Sequence, residues 1–278
     1  MNNDAQIDYW NGKAGEKWVE HSNRLDGMLA PFADAVLEAA SIQPGERALD
    51  IGCGAGALTL AATAKSGGTA GSMGVDVSEP LLALARQRAA DAGSPAVFEH
   101  ADASAVSIAD KLDLMISRFG VMFFEDPSAA FANIRGQIKP GGRLTFMCWQ
   151  TLQVNDWAFA PLQAALPLLE ELPAPPDPTA PGPFAFADKD RVAGVLRNAG
   201  WSDISVDPFN THITLPGDTV ETSAKFMLQI GPLARLIAEQ NLDAKRIEQA
   251  LTERLSGEVQ DDGRVAMRSA CWLVQAEA

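Results

Sequence analysis

Between residues 48 and 149, short apolar runs alternate with stretches whose apolar residues recur every three or four positions. The runs have the length of buried strands, and the longer stretches have the spacing of amphipathic helices. Strands that alternate with helices form a parallel sheet covered by helices on both faces. The pattern therefore predicts a doubly wound α/β core. Its expected strands are at residues 48–51, 71–77, 96–99, 112–117 and 143–149.

The residues outside this core follow other patterns. Residues 5–42 have helical spacing with interruptions at Gly12 and Gly15, and the last helix there is expected after Asp26. A sixth strand is predicted at residues 203–206, and a long seventh strand at residues 264–274. Further helices are predicted at residues 188–199, 219–240 and 243–256.

These patterns divide the chain into parts. Six prolines between Pro173 and Pro183 exclude regular helix or a central strand there, and long loops of this kind are often functional covers. We expect an N-terminal helical cover at residues 1–45, the core at 46–149, a Pro-rich lid or substrate loop at 150–187, and the rest of the sheet at 188–278, with a helical insertion at 218–257.

A glycine-rich turn, Gly52-Cys53-Gly54-Ala55-Gly56, separates the first predicted strand from the helix that begins at Ala57. Glycine allows backbone angles that other residues resist, and it leaves no side chain between the backbone and a ligand. Because a helix follows directly, the turn predicts a site for a nucleotide-like cofactor. As Gly52-x-Gly54-x-x-Ala57 it satisfies the dinucleotide fingerprint, and a turn that binds no ligand is the plain alternative.

Acidic residues stand at the ends of the first three predicted strands, at Asp50, Asp76 and Asp102. A carboxylate after the second strand can accept hydrogen bonds from both hydroxyls of a ribose, in either cofactor class. One just past the third strand suits the amino group of an adenine. A carboxylate at Asp50 would repel a pyrophosphate, so it favours a zwitterionic cofactor over a dinucleotide.

Residues 49–56, 74–78, 101–103 and 139–144 resemble the successive motifs of class I S-adenosylmethionine-dependent methyltransferases, nearest to the ubiquinone/menaquinone-biosynthesis branch. The resemblance implies a Rossmann-like methyltransferase fold with a mostly parallel seven-stranded sheet. It implies S-adenosylmethionine as the cofactor, with S-adenosylhomocysteine as the product. It is weak over residues 150–278, which set the substrate in this family.

The resemblance also implies which residues bind the cofactor. Asp50 and the glycine turn would hold its amino-acid end, Asp76 its ribose and Asp102 its adenine, with Arg118 near the methionine portion. The full implied set is Asp50, Gly52, Cys53, Gly54, Gly56, Asp76, Val77, Asp102, Ala103, Ser117 and Arg118.

Aromatic residues in the cover and near the ends of the fourth and fifth strands suggest an apolar or aromatic methyl acceptor. Packing in the core is the alternative explanation for most of them. The candidate substrate contacts are Tyr9, Trp18, Phe119, Trp149 and Trp157.

Direct in-line transfer needs no protein base, since the sulfonium is already an activated leaving group and the protein mainly aligns the reactants and excludes water. An acceptor that must lose a proton would require one. His21, in the predicted cover, and His100, after the third strand, are then the better candidates.

The amino-acid composition limits the kinds of binding partner that are expected. With 22 basic and 36 acidic residues the net charge is −14, which disfavours nucleic acid and anionic membranes and favours small-molecule substrates. Three separate cysteines lack the spacing of metal ligands or of a disulfide framework, so no metal site is predicted. Without a signal sequence or a membrane-spanning apolar run, a soluble cytoplasmic protein is expected.

Two other functions stay open at this stage. The protein would be an NAD(P)-dependent oxidoreductase if the Gly52 turn bound a pyrophosphate, or a cofactor-binding protein without transferase activity, because a fold does not fix a function. The helical insertion would be either a homodimer face or a cap.

Overall fold

The computed structural model describes residues 4–169, 177–240 and 242–278. The strands are β1 (Ala48–Ile51), β2 (Met73–Asp76), β3 (Val97–His100), β4 (Leu112–Arg118), β5 (Ile138–Trp149), β6 (Ser202–Thr214) and β7 (Ala266–Glu277). The helices are α1 (Asp4–Asn11), α2 (Lys13–Glu20), α3 (Ser22–Ala39), α4 (Ala57–Lys65), α5 (Glu79–Asp91), α6 (Pro127–Gly136), α7 (Asp156–Ala165), α8 (Lys189–Asn198), α9 (Val220–Met227), α10 (Pro232–Gln240) and α11 (Ala244–Leu255).

The strands form one seven-stranded sheet in the order β3-β2-β1-β4-β5-β7-β6. Neighbours from β3 to β5 pair in parallel, whereas β7 runs antiparallel to both β5 and β6. The expected mostly parallel α/β sheet is therefore confirmed. Because the strand order reverses between β1 and β4, the carboxyl ends of these two strands border the crevice where such sheets bind ligands.

The turns that follow β1 and β4 touch each other. Gly52 has φ +66°, and a Cβ on it would lie 2.6 Å from the Cα of Gly120. The Ser117 hydroxyl donates to the Ile51 carbonyl at 2.7 Å and accepts from the Gly120 N–H at 3.1 Å. Only glycine fits on both sides of this contact, and the buried hydroxyl fixes the spacing between the turns.

The N-terminal helices lie over this part of the sheet. α3 buries Leu25, Leu29 and Phe32 and packs against β4, β5 and β6. It begins at Ser22, earlier than the expected start after Asp26. Gly15 lies inside α2 and does not interrupt it, so that expectation was wrong.

The C-terminal elements differ from the prediction where glycine and proline occur together. The helix expected over residues 219–240 is broken into α9 and α10, because Gly231 has φ +89° and Pro232 has no N–H to continue a helix. The fifth strand begins earlier than the predicted residue 143, since residues 139–142 lie within β5. The pairing register shifts there, between Leu112 and Leu114 of β4, which accommodates the extra residues.

The sixth strand is much longer than predicted. It extends over Ser202–Thr214, and its exposed positions together with Pro208 hide the strand pattern in the sequence. An edge strand tolerates proline, because the N–H that proline lacks would face away from the sheet. Within the described ranges, no helix is both long and apolar enough to cross a bilayer.

We expect Gly120→Ala to lower the free energy of unfolding by about 3 kcal/mol, because the new Cβ would be forced against its neighbours. It would lie 2.2 Å from the Ile51 carbonyl oxygen and 2.8 Å from the Gly52 Cα. Gly27→Ala is the control: Gly27 lies inside α3 with nothing within 4 Å of an added Cβ. This control should raise the free energy of unfolding by about 0.5–1 kcal/mol. Urea titration of the wild type and both variants measures the two changes. A Gly120→Ala protein as stable as the wild type would contradict the tight contact.

Candidate functional site

The glycine turn forms a cradle that is closed on two sides and open on a third. Gly52 is closed off by Gly120, and a Cβ on Gly56 would lie 2.8 Å from the Phe98 ring. Gly54 also has a positive φ, +52°, yet nothing lies within 4 Å of an added Cβ. Ligand atoms can therefore approach the backbone at Gly54, directly before the N-terminus of α4.

Asp76 lies at the rim of this cradle, at the end of β2. Its Oδ2 accepts from the Gly54 N–H at 2.7 Å, and its Oδ1 accepts from the Ser78 N–H at 2.9 Å. Burial raises the pKa of Asp76, and these two backbone donors oppose that effect. Each carboxylate oxygen has a second lone pair, so Asp76 keeps the capacity to accept from ribose hydroxyls.

Asp50 lies beneath the turn and is 1% exposed. The Thr59 hydroxyl donates to its Oδ2 at 2.6 Å. Burial raises the pKa of Asp50 to about 7, with the Thr59 hydrogen bond and the charge of Arg118 opposing the shift. A cationic group brought to the cradle would favour the ionised carboxylate, which suits the ammonium of an amino-acid moiety.

Two residues that the sequence analysis did not select, Asp26 and Arg88, join α3 to the cradle. Asp26 accepts from Arg118 at 3.3 Å and from Arg88 at 2.9 Å. Arg88 also donates to the Ala55 carbonyl of the glycine turn at 3.0 Å. This network holds Arg118, a predicted cofactor contact, at the end of β4. No local sequence pattern predicts this network, since its three side chains come from elements that are distant in the chain.

Other predicted cofactor residues serve the scaffold of the site. Ser117 uses its hydroxyl between the β1 and β4 turns, as described above. Cys53 is buried, and burial raises the pKa of its thiol, helped by the carboxylates of Asp76 and Asp50. The thiol therefore stays protonated. The Cys53 N–H donates to the Val75 carbonyl at 3.1 Å, so this residue contributes packing and backbone to the cradle.

The predicted adenine contacts follow β3 and stay close to β2. The Ala101 N–H donates to the carbonyl of Asp76 at 3.1 Å. The Asp102 Oδ1 accepts from the Ser104 N–H at 2.9 Å, which gives the loop an Asx turn. Ala103 is buried, and its carbonyl accepts from Asn133 of α6 at 3.2 Å. The loop is therefore held in place beside Asp76.

An aromatic stack lies at the carboxyl ends of β4 and β5. The rings of Phe119 and Trp149 are parallel, with centroids 4.0 Å apart, and the Trp157 ring centroid lies 4.7 Å from that of Trp149. Trp149 and Trp157 are buried, whereas Phe119 is half-buried. Phe119 has φ +66°, an uncommon value for a bulky residue that is often found at functional sites.

The other two candidate substrate contacts lie in the N-terminal helices. The Trp10 ring has edge contacts with Tyr9, Trp18 and Phe123, at centroid distances of 5.3, 5.5 and 5.7 Å. Phe123 follows β4, so this cluster reaches the carboxyl end of the sheet. Tyr9 is 43% exposed and Trp18 is partly buried.

The two candidate bases both have hydrogen-bond partners. His21 is buried, with Nε2 3.0 Å from Gln229 and its ring edge against Phe226. His100 is half-exposed, and its Nε2 donates to the Val77 carbonyl at 2.9 Å. His21 thus joins the N-terminal helices to α9, and His100 lies at the β2–β3 side of the sheet.

Comparison with known proteins agrees with this geometry. Residues 48–142 match the family described as "Methyltransferase domain". An uncharacterized protein of Mycobacterium tuberculosis is 36% identical over 47% of each chain, and a ubiquinone biosynthesis O-methyltransferase of Methylococcus capsulatus is 30% identical over 49% of this chain and 57% of the relative. The match spans about half the length of these curated relatives.

The fold extends further than the sequence match. The solved YcgJ protein of Bacillus subtilis superimposes with a TM-score of 0.57 over 89% of this chain and 98% of its own, at 16% identity. The sheet order and the glycine cradle define a class I S-adenosylmethionine-dependent methyltransferase fold. The match to the methyltransferase domain covers residues 48–142, the part of the chain that carries the glycine cradle.

We expect Asp50→Asn to stabilise the ligand-free protein at high pH. Because the folded state keeps a proton on Asp50 up to about pH 7, whereas the unfolded chain releases it above about pH 4, stability falls as the pH rises between these values. The amide does not titrate. The free energy of unfolding of Asp50→Asn should exceed that of the wild type by on the order of 3 kcal/mol at about pH 8, and the difference should vanish near about pH 4.

Urea unfolding at several pH values measures this difference, and Asp113→Asn is the control of opposite sign. Burial works to raise the pKa of Asp113, but Lys139 and the Arg47 N–H outweigh it and hold that pKa below its usual value. Its replacement should therefore lower stability at about pH 8. An Asp50→Asn protein that is less stable than the wild type at that pH would mean that the folded state favours the carboxylate.

Proposed function

We propose that this protein transfers the methyl group of S-adenosylmethionine to a small acceptor with an apolar or aromatic body, by direct in-line displacement. The observation that carries the proposal is the cradle. Its backbone is accessible at Gly54, its rim carries the Asp76 carboxylate, and the ionisable Asp50 lies beneath it. An adenosine linked to an amino acid matches these groups at both ends.

Each part of the cofactor would meet a group with complementary chemistry. Asp76 would accept from the ribose hydroxyls, while Asp50 and the turn would hold the amino-acid end. Asp102 and Ala103 would flank the adenine. When bound, S-adenosylmethionine supplies an activated methyl group, because the sulfonium is a good leaving group. The protein's own task is then to position the acceptor and to exclude water.

The aromatic stack of Phe119, Trp149 and Trp157 supports an apolar or aromatic methyl acceptor. Phe119 is held at the carboxyl end of β4 by its backbone N–H, which donates to the Met147 carbonyl at 3.1 Å, and by its contact with Trp149. A rigid, half-buried ring next to the cradle favours a flat or apolar acceptor. Trp149 and Trp157 support Phe119 from the core, so we assign them a positioning role.

Isothermal titration with S-adenosylmethionine, S-adenosylhomocysteine and NADH tests the cofactor assignment. The first two should bind, and Asp76→Asn should raise both dissociation constants by at least about 10²-fold, since charge-assisted hydrogen bonds to the ribose are lost. Asp91→Asn is the matched control, a carboxylate at the far end of α5 whose partner is the exposed Gln87. Saturable NADH binding in place of the other two would favour the oxidoreductase alternative.

We expect His21→Ala and His100→Ala, singly and together, to keep turnover within about tenfold of the wild type, because the displacement itself needs no protein base and both rings are hydrogen-bonded within the protein, His21 to Gln229 and His100 to the Val77 carbonyl. The measurement is kcat with an acceptor found by screening aromatic small molecules. A loss of about 10²-fold or more in kcat, with the melting temperature unchanged, would identify the replaced histidine as a general base.

A further inference from the structure

The junction between α1 and α2 is attached to the turn that follows β2. The Asn11 Nδ2 donates to the Val77 carbonyl at 2.7 Å, and its Oδ1 accepts from the Glu79 N–H at 3.0 Å. Next to it, the Ser78 hydroxyl donates to the Trp10 carbonyl at 2.8 Å. One short turn thus makes three hydrogen bonds with residues more than sixty positions away, accepting one and donating two.

This turn is part of the cofactor site. Val77, Ser78 and Glu79 directly follow Asp76, and the Ser78 N–H is one of the two backbone donors to the Asp76 carboxylate. Any force on the turn is therefore transmitted to the group assigned to the ribose. The contact is close: a Cβ on Gly15 of α2 would lie 2.0 Å from the Trp10 carbonyl oxygen and 3.2 Å from the Ser78 hydroxyl.

The first two helices also reach the end of β4. Trp10, at the end of α1, contacts Phe123, which follows β4. Since β1 lies between β2 and β4 in the sheet, residues 4–21 are attached on both sides of the β1 glycine turn.

The hydrogen bonding of Ser78 is unusual for its position. It is the N-cap residue of α5, where a serine side chain normally accepts from an N–H of the first turn. Here the side chain makes no cap hydrogen bond, because its hydroxyl donates to Trp10, and the Asn11 side chain accepts from the first N–H of α5 instead. If residues 4–21 moved away, Ser78 would be free to cap α5 itself.

We propose that residues 4–21 are a lid over the cofactor cradle, and that Asn11 and Ser78 are positioning residues that latch it. In the closed state Asn11 caps α5 and Ser78 holds Trp10. In the open state Ser78 replaces Asn11 as the cap, so opening leaves few N–H groups unsatisfied. This proposal rests on the proposed function in one respect, which is that the cradle binds S-adenosylmethionine and its product.

Two measurements on full-length Asn11→Ala test the latch. Stopped-flow displacement of S-adenosylhomocysteine should show a dissociation rate about 10-fold faster than in the wild type, because two hydrogen bonds of the closed lid are lost. Amide hydrogen exchange of the ligand-free protein should be faster in α1 and α2 and unchanged in β4 and β5. Ser78→Ala is a second variant with a smaller expected effect, since Asn11 remains.

Gln275→Ala is the matched control. Gln275 of β7 donates a comparable side-chain hydrogen bond to the Ala39 carbonyl, at the opposite end of the N-terminal helices, at 3.1 Å. Its dissociation rate and its exchange in α1 and α2 should equal those of the wild type. Equal values for Asn11→Ala would overturn the lid. Failure of the wild type to bind S-adenosylhomocysteine would refute the proposed function, while the exchange comparison would still decide on the latch.

Discussion

The contact between the turns after β1 and β4 is the constraint on which the site depends. Two parallel neighbours end side by side, and the lack of a Cβ on Gly52 and Gly120 lets their turns touch. The buried Ser117 hydroxyl satisfies one polar group from each turn. With that side closed, the glycine turn stays open at Gly54, and the chain leaves β4 through the uncommon backbone angles of Phe119.

Charged side chains are distributed unevenly around the glycine cradle. Two carboxylates, Asp50 and Asp76, lie on the cradle, and burial raises the pKa of both. Arg118 and Arg88 are nearby cations, and Asp26 of α3 accepts hydrogen bonds from both. A neutral or doubly anionic ligand would gain little here, whereas a ligand with an ammonium and a ribose would pair with both carboxylates.

Local patterns in the sequence were enough to predict the core, because each strand end with its acidic residue lies within a few residues of the chain. Asp26, Arg88 and Asn11 were missed for the opposite reason: their roles depend on partners in other elements. The length of β6 was missed because it is an exposed edge strand with a proline. The break at Gly231 was missed although Gly231 and Pro232 are adjacent in the sequence. The prediction of one helix followed the apolar spacing of residues 219–240 instead.

The position of β7 has a consequence for the order in which the chain folds. β6 pairs only with β7 in the described sheet, and β7 in turn must pair with β5, more than a hundred residues earlier. Strands β1 to β5 can associate through nearby crossovers, so the half of the sheet that carries the cradle has the shorter-range contacts. Residues 202–214 instead pair only with the last strand. During synthesis, about sixty further residues must be added before that partner is available. The exposed charges and the proline of that segment protect it from pairing with other chains in the interval.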